Sequence, residues 1–171
     1  MLNTEQLAYL AGIFDGEGSV TITRTYNKHK PAISRNSRSL GNPNPGVSER
    51  MIMQVAVAMT DRAIPEWLHE EFGGRFMSRR FPGTTYKERW DWLASANIAK
   101  DFLRIILPHL RLKRLQAQLA IEFQEHRIVG HSLTLAQRQA DEILCQSMHE
   151  LNGRGKDSMG SVNIVERNLK I

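Results

Sequence analysis

The chain has 171 residues, of which 41% are hydrophobic and 24% are charged, a composition typical of one ordinary globular domain. Its single cysteine, Cys145, excludes an internal disulfide framework and most cysteine-based zinc sites. The 23 Lys and Arg residues outnumber the 18 Asp and Glu residues, and the resulting net charge of +5 favours a polyanionic partner. No apolar run approaches the roughly 20 residues that cross a bilayer, and the first residues do not resemble an export signal. We therefore expect an intracellular protein without a membrane partner, in a bacterial or archaeal cytoplasm or in an organelle.

The first predicted element is a helix that includes the segment LAYLAGIFDGEG, residues 7–18. Ala8, Gly12 and Gly16 recur every four residues, so they form one stripe of minimal side chains along this helix. Glycine inside a helix costs about 1 kcal/mol relative to alanine. Close packing of the stripe against a second helix would offset that cost.

Two carboxylates, Asp15 and Glu17, follow at the C-terminal end of this helix. The helix dipole makes negative charge unfavourable at that end. The spacing alone leaves two interpretations open. One is a solvated acidic helix end followed by a glycine turn, and the other is a set of oxygen ligands for a divalent cation such as Mg²⁺.

Two strands are predicted next, and a segment of unusual composition joins them. Val20 and Ile22 alternate with polar residues within Ser19–Thr25, and Met51–Met59 shows the same period of two, which is typical of half-buried strands. The segment Tyr26–Arg50 between them is rich in Asn, Ser, Pro and Gly and contains several basic residues. It is interpreted either as a surface loop or as a basic arm that becomes ordered on nucleic acid.

The rest of the chain predicts a helix, two more strands and then helices only. In chain order these are a helix over Asp61–Phe72, strands over Arg75–Arg80 and Tyr86–Leu93, and helices over Ile98–Leu107, Leu112–Ile128 and Leu133–Leu151. Residues 152–171 are predicted to form a polar tail. Strand pairs that alternate with helices indicate a single α+β domain over residues 1–151. Its helices cover one face of an antiparallel sheet and leave the other face open.

The alternation within each strand predicts which side chains point to the open face. The residues expected there are Thr21, Thr23, Gln54, Arg75, Met77, Arg79, Lys87, Arg89 and Asp91. Most of these side chains suit the base edges of the DNA major groove, which strands can enter as ribbons; a merely soluble polar face is the alternative. Phosphate contacts, which position a protein without specifying sequence, are predicted for basic residues outside the strands: Arg35, Arg38, Arg154 and Lys156.

Residues 10–18, LAGIFDGEG, resemble the signature of the LAGLIDADG homing endonucleases. They retain each glycine and both acidic positions, with Glu in place of the usual final Asp. Weaker similarities follow at the family's spacing, at residues 72–74, 107–108 and 116–117. The resemblance implies an αββαββα core with a saddle-shaped antiparallel sheet, to which this chain adds C-terminal helices.

The resemblance also implies an assembly, since the motif helix of this family packs against its counterpart. This chain has one copy of the motif, and single-motif members are homodimers. The expected dimer interface consists of Ala8, Gly12, Ile13 and Gly16. By the same resemblance, the partner is double-stranded DNA.

The activity that the resemblance implies is cleavage of both strands of a long, near-palindromic target by an intron-encoded, divalent-metal-dependent DNA endonuclease. Glu17 would be catalytic and would bind the metal, Mg²⁺ or another divalent cation such as Mn²⁺, with help from the Gly16 carbonyl. Lys113 falls where the family places a basic residue near the cleaved phosphate; an ordinary solvated lysine is the alternative.

One departure from the family pattern concerns the end of the second strand. The family often has a Gln there, but residues 57–62 contain none. Thr60, Asp61 or Arg62 could take its place. This difference keeps open a second function on the same scaffold. In that case the chain would bind nucleic acid without cutting it, as an intron RNA maturase or a DNA-binding regulator.

Overall fold

A computed structural model of the chain describes residues 2–28, 47–127 and 133–153. The elements follow the order αββαββα, and two further helices come after them. They are α1 (Thr4–Glu17), β1 (Gly18–Lys28), β2 (Val47–Met59), α2 (Ala63–Phe72), β3 (Arg75–Arg79), β4 (Arg89–Ser95), α3 (Ala96–Ile106), α4 (Arg114–Glu125) and α5 (Leu135–Asn152). A short 3-10 turn over Leu107–His109 separates α3 from α4. The predicted α+β class and element order are confirmed.

The four strands form one antiparallel sheet in the order β1-β2-β4-β3. Val20 lies opposite Val55, Val57 lies opposite Trp92, and Phe76 lies on the other side of Trp92. Because side chains alternate along a strand, this register places these five apolar side chains on the same face of the sheet. The helices cover that face, as the alternation predicted.

The core lies between the covered face of the sheet and the helices. Phe102 of α3 makes edge-to-face contacts with Phe14 of α1 at 5.3 Å and with Trp92 of β4 at 4.9 Å, measured between ring centroids. All three side chains are almost completely buried. Such aromatic pairs add about 0.5–1.5 kcal/mol beyond their burial. Phe14 therefore fixes the C-terminal half of α1 to the centre of the domain.

Both strands next to the basic segment are longer than predicted. β1 continues to Lys28 and β2 begins at Val47, so the predicted limits of the segment, residues 26 and 50, were wrong. Cross-strand pairs such as Thr25 with Arg50 continue the ladder although their side chains do not follow the apolar alternation. Arg35 and Arg38 lie outside the described residues, as do Arg154 and Lys156 of the tail.

The start of β4 also differs from the prediction. The pairing with β3 ends at Arg79 opposite Arg89, and a turn in which the N–H of Thr84 donates to the carbonyl of Phe81 follows β3. Lys87 is therefore exposed in the connection between the strands, and its prediction as a strand residue was wrong.

α5 lies along the free edge of β1, where it satisfies two backbone carbonyls. The Sγ of Cys145 donates to the carbonyl of Ile22 at 3.3 Å, and the side-chain amide of Asn152 donates to the carbonyl of Val20 at 2.8 Å. Covering an edge in this way removes a template for pairing with other chains. Asn152, predicted to begin the tail, belongs to the helix. Cys145 is buried, as predicted.

Candidate active site and nucleic-acid interface

The helix α1 continues directly into β1, without a connecting loop. Gly18 is the first residue of the strand, and its N–H donates to the carbonyl of Phe14. A Cβ at Gly18 would lie 2.4 Å from a ring carbon of Phe14 and 2.5 Å from its carbonyl oxygen, so a larger residue does not fit. The junction presents Glu17, whose side chain is exposed, where the open face of the sheet begins.

Asp15 binds the segment that precedes α4. Its carboxylate oxygens accept hydrogen bonds from the backbone N–H groups of Arg111 at 2.8 Å and Lys113 at 2.9 Å. Burial alone would raise the pKa of Asp15, but these donors, the N–H of Leu112 and the charge of Lys113 lower the pKa below its ordinary value. Asp15 therefore has a structural role, and Glu17 is the exposed carboxylate of the motif.

The same contact brings Lys113 to the end of the motif helix. Its ammonium Nζ donates to the backbone carbonyl of Asp15. Burial lowers the pKa of Lys113, while the charges of Asp15 and Glu17 act in the opposite direction. The structure thus places Lys113 and Glu17, the two residues with predicted catalytic roles, at the same end of α1.

The small-residue face of α1 is open in the isolated subunit. Ala8, Gly12 and Gly16 are exposed, and a Cβ added at either glycine would meet nothing within 4 Å. Ile13 is half-buried and packs partly against the core of its own subunit. Contacts with the described part of the chain therefore do not explain two glycines in this helix, each of which costs about 1 kcal/mol.

The uncovered face of the sheet carries the polar side chains that the alternation predicted. The cross-strand pairs on this face include Thr21 with Gln54 and Arg79 with Arg89. Thr23 and Arg75 are exposed on the same face. The register, and with it the predicted orientation of these residues, is confirmed; their contacts with DNA remain predictions.

Asp91 lies on the open face but is buried, with 3% of its surface exposed. Its carboxylate oxygens lie 2.7 Å from the Nε of Arg79 and 2.8 Å from the Nε of Arg89. The expectation that Asp91 is exposed was wrong because these arginines cover it. The carboxylate offsets the repulsion between two cations that face each other across strands. The spacing of Arg89 and Asp91, two residues apart on one strand face, was the available signal for this cluster.

The residues after β2 serve local structure. The carboxylate of Asp61 accepts a hydrogen bond from the N–H of Ala63 at 2.8 Å, at the start of α2. Arg62 forms an ion pair with Glu66 and lies 5.0 Å from the ring centroid of Trp90. These contacts hold both side chains near the start of α2 and do not bring either of them to Glu17 at the end of α1.

One subunit alone does not assemble a metal site from the residues that the structure describes. No group of three or more His, Cys, Asp or Glu side chains occurs among them in a position to hold an ion. In the same part of the chain, no helix is both long enough and apolar enough to cross a membrane.

No protein-family model and no curated protein matches the chain, but solved structures do. The homing endonuclease I-CvuI, in complex with the I-CreI target, matches with a TM-score of 0.62 and 16% identity over 98% of this chain and 96% of that chain. The archaeal intron-encoded homing endonuclease I-Vdi141I, complexed with DNA, matches with a TM-score of 0.63 and 15% identity over 96% of each chain. The chain has the LAGLIDADG homing endonuclease fold.

Residues 10–18, which carry the sequence resemblance, run from the second half of α1 into the first residue of β1. The LAGLIDADG homing endonuclease I-LtrWI, bound to target DNA, matches with a TM-score of 0.50 and 16% identity over 94% of this chain but 49% of that chain. This chain therefore spans nearly the whole length of I-CvuI and I-Vdi141I and about half the length of I-LtrWI.

Proposed function

We propose that the chain is a site-specific DNA endonuclease that acts as a homodimer on a long, near-palindromic target. The observation that carries this proposal is the arrangement at the end of α1. There an exposed carboxylate, Glu17, lies near a half-buried ammonium, Lys113, beside a helix face that the subunit leaves uncovered. The DNA-bound homing endonucleases I-CvuI and I-Vdi141I, which share the fold and the chain length, support it.

The homodimer is supported by the open face of α1. Two copies that meet along Ala8, Gly12, Ile13 and Gly16 would bring their backbones close, which explains why glycine is used where the subunit has room for a larger side chain. The match to about half of I-LtrWI agrees with two such units in a complete enzyme. A pair of chains carries twice the charge of +5, which favours binding to a polyanion.

A divalent cation such as Mg²⁺ or Mn²⁺ fits the oxygen donors at this end of α1. The carboxylate of Glu17 and the carbonyl of Gly16 would hold it, together with the same groups of a second copy, because the described residues of one chain supply too few ligands. When bound, such an ion supplies positive charge that stabilises the phosphoryl and leaving oxygens during hydrolysis. Structures of I-CvuI determined with Mg and with Ca support this choice of cofactor.

Lys113 is positioned by the backbone of the motif helix itself. The backbone carbonyl of Asp15 accepts a hydrogen bond from the ammonium group of Lys113. The carboxylate of Asp15 accepts a second one from the backbone N–H of Lys113. A fixed ammonium donor beside Glu17 can stabilise negative charge on a phosphate oxygen or orient a water molecule. Burial lowers the pKa of Lys113, against the charges of Asp15 and Glu17.

The open face of the sheet would read the bases on each side of the cleavage centre. Thr21, Thr23, Gln54, Arg75, Arg79 and Arg89 supply its donors and acceptors. Arginine binds the major-groove edge of guanine with two hydrogen bonds, and Asp91 restrains two of these arginines through their Nε atoms. We also propose a DNA contact for Lys87. Phosphate contacts are proposed for four further basic residues: Arg35, Arg38, Arg154 and Lys156.

The substitution Glu17→Gln tests this function, because it removes one charge and keeps the shape of the side chain. We expect the variant to fold and to bind DNA, while cleavage of a randomised plasmid library with Mg²⁺ falls by about 100- to 1,000-fold, the loss typical when one group that stabilises transition-state charge is removed. Glu5→Gln is the matched control, since Glu5 is an exposed carboxylate in the first turn of the same helix. Cleavage by Glu17→Gln at the rate of the Glu5→Gln control would refute the proposed role.

A second function, nucleic-acid binding without cleavage, is favoured by the residues after β2. No Gln stands there, and the contacts of Asp61 and Arg62 are local, so neither of these two side chains is held in place as a third active-site group. An intron RNA maturase or a DNA-binding regulator would retain the open face without needing that group. Failure of the wild-type chain to cut any library member, together with tight binding of structured intron RNA, would establish this alternative.

A further inference from the structure

β4 is shorter than its neighbour β2, and part of β2 therefore has one open edge. β4 ends at Ser95, which pairs with Gln54, whereas β2 begins at Val47 and pairs with β1 from that residue onward. Among the described residues, the stretch of β2 before Gln54 has no strand on its second side. Such an edge exposes backbone hydrogen-bonding groups.

A cavity of about 240 Å³ lies beside this open edge. Three elements line it: β2, the start of α3, and the C-terminal end of α4. The residues are Arg50, Met51, Ile52, Met53, Ser95, Ala96, Gln124 and Arg127. None of these described lining residues is acidic, so the lining carries net positive charge.

The helix α3 begins at this cavity without a side-chain cap. The hydroxyl of Ser95 makes no hydrogen bond to the first turn, and the first turn contains no acidic residue. Ala96 has a φ of 52°, the one positive value for a non-glycine residue in the described part of the chain, and backbone of this kind persists where a site requires it. An uncapped helix N-terminus favours a bound negative charge.

The polar side chains around the cavity have donors to offer. Gln124 is nine-tenths buried, with 9% of its surface exposed, and its amide has no hydrogen-bond partner among the described residues. Arg127 is held by Asp141 at 2.7 Å and by the ring of Phe123 at 4.1 Å, yet its buried Nε lacks an acceptor. Arg50 forms no ion pair with any described residue. A buried polar group without a partner is costly, and an anion in the cavity would offer acceptors to the amide of Gln124 and the guanidinium of Arg50.

We propose that this cavity binds a phosphodiester group of the DNA backbone, apart from the cleavage centre. The proposal rests on the proposed function, because it names a further contact of the same protein with its DNA. A phosphate has several acceptor oxygens, which can accept hydrogen bonds from the first N–H groups of α3, the guanidinium of Arg50 and the amide of Gln124 at once.

The sheet register gives the approximate place of this phosphate along the target. The lining residues Met53 and Arg50 pair with Ile22 and Thr25 of β1, which lie four to seven residues beyond Gly18. At about 3.3 Å per strand residue, this is a distance of about 13–23 Å. Since DNA rises about 3.4 Å per step, the contact is expected on the order of four to seven base pairs outward from each Glu17.

The test compares DNA binding by Arg50→Gln, Gln124→Leu and a matched control, Arg138→Gln. Arg138 lines the adjoining cavity of about 360 Å³ but not this one, and its substitution removes the same charge. Binding to a target selected from a DNA library is measured against salt concentration. In parallel, single phosphates of the target are replaced by uncharged methylphosphonates.

We expect one methylphosphonate position in each half-site, in the interval given above, to weaken binding by the wild-type chain and by Arg138→Gln. The same replacement should have a clearly smaller effect on Arg50→Gln, because that variant has already lost the charged part of the contact and keeps only the donors of α3 and Gln124. The salt dependence of Arg50→Gln should decrease by about one phosphate per chain, or about two per dimer. Gln124→Leu should weaken binding several-fold without changing this salt dependence, since it removes a donor and no charge.

The inference is overturned if Arg50→Gln responds to every methylphosphonate as the wild-type chain does, and cleavage by the wild-type chain would then leave the proposed function intact. It is also overturned if inorganic phosphate binds the free protein through Arg50 while no methylphosphonate position matters, because the ligand is then free phosphate. A wild-type chain that binds no DNA would overturn this inference and the proposed function together.

Discussion

The substitution Gly12→Leu separates the stability of the subunit from the stability of the dimer, because the structure predicts opposite signs for the two. Within the subunit, a side chain at Gly12 would point into open space. Replacing a helix-interior glycine by leucine should therefore stabilise the isolated fold by about 0.5–1 kcal/mol through helix propensity alone. For a domain of this size that corresponds to an increase of about 1–4 °C in Tm.

At the proposed interface the same change is unfavourable. Overpacking costs about 1–3 kcal/mol at a site, and a symmetric dimer contains the site twice. The dimer should therefore weaken by about 2–6 kcal/mol, or on the order of 30-fold to 10,000-fold in Kd.

Sedimentation velocity over a range of concentrations measures the Kd, and thermal unfolding at a concentration where the chain is monomeric measures the subunit. Ala136→Leu is the matched control, since Ala136 is an exposed residue of α5 and the change adds bulk away from α1. It should leave the Kd unchanged. A Gly12→Leu protein that dimerises as tightly as the wild-type chain would refute the proposed packing of Ala8, Gly12 and Gly16 at the dimer interface. A lowered Tm of the Gly12→Leu monomer would refute the statement that a side chain at this position has room within the subunit.

Three further substitutions test the surroundings of the stripe. Backbone donors lower the pKa of Asp15 below its ordinary value of 3.8. This carboxylate therefore stabilises the fold above pH 3.8 and loses that effect as the pH falls through the lowered pKa. Asp15→Asn should lower the free energy of unfolding at neutral pH, and the difference from the wild-type chain should shrink as the pH falls below 3.8, as urea titrations would show. Burial lowers the pKa of Lys113, so the rate of cleavage should decline with rising pH before the ordinary pKa of lysine is reached. Lys113→Arg should move that decline to higher pH, because arginine keeps its charge. Superimposable pH profiles of the two proteins would contradict the proposed role of the Lys113 ammonium group. Gly18→Ala should destabilise the fold by about 1–3 kcal/mol, because the new Cβ would lie 2.4 Å from a ring carbon of Phe14. Gly12→Ala, whose Cβ meets no described atom within 4 Å, should not destabilise it. Equal denaturant midpoints for the two variants would contradict the close packing at the junction of α1 and β1.

The element order was predictable because each element depends mainly on local periodicity. The alternation of Val20 and Ile22, or of Trp90 and Trp92, reflects a single buried face and needs no knowledge of the neighbouring strand. The same alternation identified the residues of the open face, since a register that places Val55 in the core places Gln54 outside it.

Features that depend on residues far apart in the chain were not predictable. α4 begins at Arg114 rather than at Leu112 because Asp15, on another helix, binds the backbone N–H groups of Arg111 and Lys113. Asp91 is buried because Arg79 reaches it from the next strand. No pattern within one segment contains such information. The proximity of Lys113 to Glu17 came from the family resemblance, and the structure brings the two residues together through Asp15.

The uninterrupted passage from α1 into β1 has a consequence for retargeting the protein. No loop separates Glu17 from Gly18, so the backbone fixes the spacing from the carboxylate proposed to cut to each side chain proposed to read a base. Each strand residue adds about 3.3 Å, which nearly equals one base-pair step. Exchanging side chains along β1 would alter which bases are read while conserving the offset of the break. Inserting or deleting one residue at the junction would shift that offset and reverse which side chains face the duplex.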